Sequence, residues 1–453
     1  MEKYLRHYAE PETTALDGLP AQQPWANVVV IPACNETPGF LRPPPPCNGR
    51  SLMILVINES ESASHEVSSG NRDLAAAVQA RFELQWQSAP GSGLCLLRDP
   101  RAPRDVLLVD RYSKIRKLPA KGGVGHARKI GADLAAVLIH RKRILSAWIH
   151  CTDADVQLPK DYFKCGNAVH DSSTSYAALI YPFRHYDDQD RAQSKSVIFA
   201  TQLYELALRY YVAGMKFARS PYAFHTIGST MAVSARHYAK VRGFPKREAG
   251  EDFYLLNKLA KVGTVLELGP DCQPIEIAAR RSDRVPFGTG AAVNQITALA
   301  DPVKDFRFYH PAVFELLQRW LQALPGIWAS RSSELNSGIF PALPDDDQDD
   351  KLQALVAGLK KIGTQKALVH AFRQSQDLNQ FSRQMHTWFD AFRTLKLIHK
   401  LRDVHFPSVS YAELVANQAF GKLMAEDKVY RDWFILPTPD QGPGKPHHDS
   451  SGN

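Results

Sequence analysis

The sequence predicts an α/β fold with a mostly parallel, doubly wound sheet, followed by a helical C-terminal region. Short β-branched runs alternate with helical segments through the first 150 residues, and this alternation is typical of parallel sheets. The segment 332–350 is rich in Pro and Asp, which predicts a solvated linker. The predicted regions are a leader (1–25), an α/β domain (26–300), a helical region (301–435) and a disordered tail (436–453).

The first strand is predicted at Val28–Ile31, a β-branched run that Pro32 closes. Further strands are predicted at 52–57, 106–109 and 144–150, and helices at 71–82 and 125–142. In the helical region a stripe of apolar side chains needs an apolar partner surface, which either the α/β domain or a second copy of the chain would supply. The stripe consists of Phe381, Met385, Trp388, Phe389, Phe392 and Leu395.

The composition favours an anionic partner. The 453-residue chain has a formal net charge of +8, which attracts phosphates, nucleotides, nucleic acid or an anionic membrane surface. No apolar run reaches the roughly 18 residues that span a bilayer, so peripheral contact is the membrane interaction left open. The segment Met1–Glu10 lacks the apolar stretch of a signal peptide.

The cysteines predict a cytoplasmic protein. Six cysteines are spread over the chain without a Cys-x-x-Cys pair, which indicates neither a zinc knuckle nor a thioredoxin motif. We expect separate, reduced thiols.

A pair of carboxylates follows the strand predicted at 144–150. Asp153 and Asp155 are two residues apart, so in extended chain they point to the same side. The carboxyl end of a parallel strand is where open α/β sheets bind ligands. Two carboxylates there suit Mg²⁺ or Mn²⁺, which would take diphosphate oxygens as further ligands. The same spacing is also typical of an Asx-capped turn.

A basic, glycine-containing segment precedes the helix predicted at 125–142. Seven basic residues lie between Arg111 and Lys129 without an intervening acid, and among them are Lys121 and Arg128. Glycines before a helix allow backbone N–H groups to approach a phosphate. The segment lacks the third glycine of a Rossmann fingerprint and is not a Walker A loop. A solvated basic loop is the alternative.

A third cluster is the acidic pair Glu251 and Asp252, which opens a predicted helix. Acids are favourable at a helix N-terminus in any protein, so simple capping explains the pair. The functional interpretation is a carboxylate base that faces a cleft.

Together these motifs resemble those of family 2 glycosyltransferases, over residues 26–290. Four segments occur in the order of that family's motifs. They are Val30–Glu36 (the opening strand and P-x-x-N-E loop), Gly122–Arg128 (the glycine-rich Ala-Arg stretch), Thr152–Asp155 with Pro159 (the D-x-D segment), and Gly228–Val233 leading to Gly243-Phe244 and Glu251-Asp252 (the acceptor segment and E-D motif).

The resemblance implies a GT-A fold and transfer of a sugar from a nucleotide diphosphate sugar to an acceptor hydroxyl. It implies that Asp153 and Asp155 hold Mn²⁺ or Mg²⁺ and that Asp252, beside Glu251, is the base of an inverting reaction. Donor contacts are implied for Ala33, Asn35, Glu36, Asn58, Lys121, Arg128, Asp153 and Arg284. The second strand ends in Asn58-Glu59 where relatives carry Asp-Asp, which leaves the nucleotide open.

Two other function classes remain open on the sequence. A nucleotidyltransferase of the same fold would release pyrophosphate instead of a nucleoside diphosphate. A non-catalytic protein would use the basic segment to bind nucleic acid or another anion. Nucleic acid is disfavoured because the basic run holds a single aromatic side chain, Tyr112, for base stacking.

Overall fold

The computed structural model describes residues 1–169, 176–187, 194–281, 288–331 and 350–425. These residues fall into two compact units. The first unit comprises Met1–Thr201 and Thr226–Asn294, and the second comprises Gln202–His225 and the described residues from Gln295 onward. The predicted tail and most of the predicted linker lie outside the described residues.

The first unit is built on a nine-stranded sheet, and its α/β class agrees with the sequence prediction. The strand order is β11-β8-β10-β6-β1-β2-β5-β4-β3, and β7, β12 and β9 form a separate three-stranded sheet. The strands are β1 (Asn27–Ala33), β2 (Ser51–Asn58), β3 (Glu83–Gln87), β4 (Leu94–Arg98), β5 (Arg104–Arg111), β6 (Trp148–Cys151), β7 (Val156–Gln157), β8 (Tyr176–Ile180), β9 (Phe183–Tyr186), β10 (Met231–Ser234), β11 (Thr264–Glu267) and β12 (Ile275–Ala278).

The centre of this sheet is parallel, and its strands β1 and β2 are buried on both faces, as is usual for parallel sheets. Every residue of β1 and β2 is buried, and their register places Val28 opposite Leu52 and Ile31 opposite Leu55. Strands β6 and β5 extend the parallel core on either side. The strands predicted at 28–31, 52–57 and 106–109 all lie within this core.

The prediction of a mostly parallel sheet is wrong outside the core, where β11 still pairs parallel with β8 but the other strand pairs are antiparallel. Strand β10 pairs antiparallel with β6 and β8, and β4 pairs antiparallel with β3 and β5. The sheet is therefore mixed. The strand predicted at 144–150 begins later, at Trp148, and Ile144 makes only an isolated bridge to Trp25.

Helices α2, α3, α6 and α7 contact strands of this sheet. Helix α3 carries the predicted basic segment at its start and is buried along most of its length. The helices up to residue 297 are α1 (Glu2–His7), α2 (His65–Arg81), α3 (Gly123–His140), α4 (Tyr162–Ala168), α5 (Lys195–Phe217), α6 (Ala235–Lys240), α7 (Glu251–Leu259) and α8 (Thr289–Thr297), with 3-10 helices at Pro11–Gly18 and Pro38–Phe40.

The second unit is helical and also includes Gln202–His225, a segment of the predicted α/β domain. The predicted apolar stripe is divided between two of its helices. Asp390 caps a new helix through a 3.2 Å bond from the Arg393 N–H to its carboxylate, so the stripe turns there. Phe381, Met385 and Phe389 are buried. The helices are α9 (Pro302–Asp305), α10 (Ala312–Ala329), α11 (Asp350–Lys361), α12 (Thr364–Gln374), α13 (Leu378–Trp388), α14 (Ala391–Val404), α15 (Tyr411–Ala416) and α16 (Gln418–Ala425).

The prediction that all cysteines are separate thiols is wrong. Cys165 of α4 and Cys272, in the turn before β12, form a disulfide. Their sequence separation is 107 residues, so cysteine spacing along the chain gave no signal of the pairing. No helix in the described parts of the chain is both long enough and apolar enough to cross a membrane.

Candidate functional site

Six of the predicted site residues lie along one edge of the nine-stranded sheet, at or just after the ends of strands. Strands β6, β1 and β2 are parallel neighbours, so their carboxyl ends share this edge. Asp153 and Asp155 follow the end of β6, the segment Ala33–Glu36 follows β1, and Asn58 ends β2. The edge is the position at which open α/β sheets bind their ligands.

Arg128 joins three separate segments at this edge. Its side chain points from α3 and is almost fully buried, with 3% exposed. One Nη donates to Asp153 at 2.6 Å, and Nε donates to Glu251 at 2.8 Å. The other Nη donates to the Gly228 carbonyl at 3.0 Å. The guanidinium therefore faces two carboxylates of the chain itself.

Arg280, two residues beyond β12, makes a second pair of carboxylate contacts. Its guanidinium donates to Asp155 at 2.7 Å and to Glu36 at 3.1 Å. Glu36 is buried, with 6% exposed. Arg280 therefore links the carboxylates that follow β1 and β6. Neighbouring Arg284, predicted to contact the donor, lies outside the described residues.

The cluster contains more carboxylates than cations. Five carboxylates, those of Glu36, Asp153, Asp155, Glu251 and Asp252, surround two guanidinium groups. Acids buried near one another resist ionisation, because burial and like charge both disfavour the charged form.

The acids that share Arg128 show this resistance in their pKa values. Burial and the neighbouring charges of Asp155 and Glu251 raise the pKa of Asp153 to about 6, against the opposing effect of Arg128. This happens although 33% of the Asp153 side chain stays exposed. Burial, together with adjacent Asp252, raises the pKa of Glu251 to about 7. The raised pKa values therefore reflect a surplus of carboxylates that the two arginines do not offset.

Glu251 and Asp252 occupy different environments at the start of α7. Glu251 is 3% exposed and is held by Arg128. Asp252 is only half-buried, and its carboxylate accepts the Phe253 N–H at 2.7 Å. Burial raises the pKa of Asp252 as well. Of the two acids, Asp252 has the more accessible carboxylate.

The glycine-containing segment at the start of α3 lies against the chain itself. The Gly125 N–H donates to the Arg247 carbonyl at 3.0 Å. A Cβ at Gly125 would lie 2.7 Å from the carbonyl oxygens of Pro245 and Arg247, so only glycine fits there. This close approach is to the segment that precedes α7. Lys121 is exposed.

The ends of β1 and β2 are joined by Asn71 of α2, a residue that the sequence patterns did not single out. Its carboxamide oxygen accepts the Asn35 N–H at 2.8 Å, and its Nδ2 donates to the Asn58 carbonyl at 3.1 Å. Asn35 itself is exposed and has a φ of 53°. Ala33 is buried. The backbone of exposed Asn35 is thereby held at this edge of the sheet.

The carboxylates of the cluster suit a hard cation such as Mg²⁺ rather than zinc. Among the described residues, no three His, Cys, Asp or Glu side chains group so that they could enclose a metal ion. A closed, all-protein site of the zinc type is therefore not present in that part of the chain. Mg²⁺ and similar cations are commonly bound by one or two carboxylates, with water and substrate phosphates as the other ligands. Asp153 and Asp155 fit that arrangement, and the surplus negative charge favours it.

Comparisons with known proteins do not assign a family. No protein-family profile matches the sequence, and no curated protein matches it. One similar solved structure is the mannosyltransferase PcManGT from Pyrobaculum calidifontis in complex with GDP-Man and Mn²⁺. It is 15% identical, with a TM-score of 0.32, over 87% of this chain and 94% of that chain. This TM-score is too low to assign the fold or the activity of that protein to this chain.

Proposed function

We propose that this chain is a divalent-metal-dependent glycosyltransferase that moves a sugar from a nucleotide diphosphate sugar to an acceptor hydroxyl with inversion. The observation that carries the proposal is the surplus of carboxylates at the carboxyl edge of β1 and β6. A cation there would offset that surplus, and a diphosphate would bind to the cation. This combination suits displacement of a nucleoside diphosphate leaving group.

Asp155 and Asp153 would hold Mn²⁺ or Mg²⁺. When bound, such a cation offsets the negative charge that grows on the departing diphosphate. Arg280 contacts Asp155 at 2.7 Å. Its guanidinium would therefore have to turn away from this carboxylate when a cation binds, and it could then contact a diphosphate oxygen. Glu36 would keep it at the edge.

The donor nucleotide would lie along the edge from β6 to β2. Asn35, fixed by Asn71, and Asn58 at the end of β2 would contact the nucleoside. Exposed Lys121 would approach the phosphates, as would Arg284. Arg128, buried between two acids, would act on the donor indirectly, because it sets the position of Asp153.

Asp252 would remove the proton from the acceptor hydroxyl. A hydroxyl is a poor nucleophile until its proton is transferred as attack proceeds. The raised pKa of Asp252 would make it a stronger base than an ordinary carboxylate. Asp252→Asn is nearly isosteric, so we expect turnover to fall roughly 10²–10⁴-fold while donor binding persists. Near-normal turnover, or a product that keeps the donor's anomeric configuration, would contradict this assignment.

The test of the proposal is a screen of nucleotide diphosphate sugars for thermal stabilisation that requires Mn²⁺. We expect one donor class to raise the melting temperature with Mn²⁺ and not with a chelator. Asp155→Asn should abolish this stabilisation. The matched control is Asp17→Asn, since the Asp17 side chain is 72% exposed in a surface ion pair.

Product analysis then separates the two enzyme classes. Release of a nucleoside diphosphate with a glycosylated acceptor supports the proposal. Release of pyrophosphate would identify a nucleotidyltransferase instead. If every donor binds without Mn²⁺, and binds equally well to Asp155→Asn, the proposed metal site at Asp153 and Asp155 is wrong.

A further inference from the structure

The second unit contains a cavity that the proposed reaction does not use. Its volume is about 590 Å³, within the range of small-molecule sites. The lining comes from the end of α11 and from one side of α14, and most of it is basic. The charged and titratable lining residues are Lys361, Arg393, Lys396, His399, Lys400 and Asp403.

The positive charges on α14 face the same side because of their spacing. Arg393, Lys396 and Lys400 follow an i, i+3, i+7 pattern, which places side chains on one helical face. Like charges at this spacing destabilise an isolated helix. The arrangement therefore costs stability unless something anionic lies beside it.

The acid that lines the cavity does not offset these charges. Asp403 accepts a 2.7 Å hydrogen bond from Nε of Arg402, its neighbour in the chain. Burial and nearby Arg402 lower the pKa of His399, so the positive charge of the lining comes from lysine and arginine. Four such side chains, including Lys361, line the cavity against one engaged carboxylate. Arg393 also lies 3.9 Å from Asp390, outside the lining, which leaves the three lysines as the cations that the lining does not offset.

Two of the lining groups are held in place before any ligand arrives. Arg393 donates to the Trp388 carbonyl at 2.7 Å, and its guanidinium lies 4.7 Å from the centre of the Trp388 ring. The His399 ring nitrogen Nε2 is 2.9 Å from the Tyr309 hydroxyl. Fixed donors lose less conformational entropy on binding than free side chains do. A solvated charged face would need neither the fixed donors nor the concave shape.

We propose that this cavity is an anion site that binds a phosphate-bearing ligand, either a soluble phosphorylated compound or the phosphate of a lipid headgroup. Lysine ammonium groups bind phosphate as point charges, and an arginine guanidinium binds two phosphate oxygens at once. The proposal stands on the second unit alone and does not depend on the proposed sugar transfer.

Titration calorimetry with inorganic pyrophosphate tests the site in the full-length chain. The buffer contains a chelator, so that pyrophosphate cannot bind through a cation at the carboxylate cluster. We expect saturable binding that weakens as salt is added. The double substitution Lys396→Gln with Lys400→Gln should weaken it at least about tenfold, since each charged hydrogen bond is worth about one such factor or more.

The matched control is Lys366→Gln with Arg373→Gln. Both residues are exposed on α12 and neither lines the cavity, yet the pair removes the same net charge. We expect the control to bind pyrophosphate within about twofold of the wild type. An equal loss in both double variants would show general charge attraction and overturn the proposal, as would an absence of saturable binding to the wild type.

Vesicle sedimentation separates the two sources of phosphate. Phosphatidylcholine vesicles with and without phosphatidic acid are incubated with the wild type and both double variants. If the wild type and the control variant bind only to vesicles with phosphatidic acid, and the Lys396→Gln, Lys400→Gln variant does not bind, the ligand is a lipid headgroup. Pyrophosphate binding without vesicle binding assigns it to a soluble ligand.

Discussion

The substitution Glu10→Gln should destabilise the protein strongly at neutral pH. Glu10 follows α1, is only 5% exposed, and accepts a hydrogen bond from Nζ of Lys246 at 2.9 Å. Nε2 of His126 lies 3.1 Å from the same carboxylate, and Lys129 is 3.7 Å away. Removing one partner of a buried ion pair leaves the other charges uncompensated.

The pKa of Glu10 gives the magnitude. Burial alone would raise this pKa, but His126, Lys246 and Lys129 together lower it from 4.5 to about 2. A shift of that size corresponds to about 3 kcal/mol of stability that the ionised carboxylate contributes. The folded-state pKa is depressed, so this contribution is complete above pH 4.5 and is lost as the pH falls toward 2.

Urea denaturation followed by tryptophan fluorescence measures the effect. At pH 7 we expect Glu10→Gln to lower the free energy of unfolding by about 3 kcal/mol. At pH 3 the difference from the wild type should be clearly smaller. As a control, Asp17→Asn removes an exposed ion pair and should change stability by less than about 1 kcal/mol. The reasoning fails if Glu10→Gln is as stable as the wild type at pH 7, or if its deficit is the same at pH 3.

Four further predictions follow from individual contacts. Burial raises the pKa of Glu251 from 4.5 to about 7, so the free energy of unfolding of the wild type should fall as the pH rises from 4.5 to 7. In Glu251→Gln, urea denaturation should show a smaller fall over this pH range. An unchanged pH profile would contradict the raised pKa of Glu251. Arg280→Gln removes the guanidinium that contacts Asp155, so it removes a group that competes with Mn²⁺ for this carboxylate. Calorimetry without nucleotide should therefore show tighter Mn²⁺ binding to this variant than to the wild type. Weaker binding would refute competition between Arg280 and Mn²⁺. Gly125→Ala should lower the free energy of unfolding by about 1–3 kcal/mol or more, measured in urea, because its Cβ would meet carbonyl oxygens at 2.7 Å. Cys165→Ser should cost about 2–5 kcal/mol and expose one additional reactive thiol in denaturant without reductant, whereas one reactive thiol fewer than in the wild type would show that the disulfide is absent.

The parallel core was predictable because its signal is local. Strands β1, β2 and β5 are short runs of β-branched and apolar residues with turn residues around them, which is what burial on both faces requires. The antiparallel edge formed by β3 and β4 was not predictable in this way. Strand β3 is exposed at four of its five positions, so its sequence carries little apolar pattern, and its place depends on pairing with β4.

In the candidate site, too, the local features were predictable from the sequence and the long-range contacts were not. The spacing of Asp153 and Asp155 after a strand is visible in the sequence, and both lie at the expected edge. Their arginine partners are not visible there, because Arg128 precedes Asp153 by 25 residues and is brought to it only by the packing of α3. The basic segment looked like a phosphate site, yet folding pairs Arg128 with the chain's own acids.

The two arginines of the carboxylate cluster have a consequence for the order of assembly. Arg128 and Arg280 each bridge two acids from distant parts of the chain. Small metal-dependent domains, by contrast, stay unfolded until their ion binds, because nothing else draws the ligands together. Here the chain carries its own internal counterions, so the edge of the sheet can form during synthesis in a metal-poor compartment. The proposed cation would then bind reversibly to an already folded site, and its dissociation would not unfold the protein.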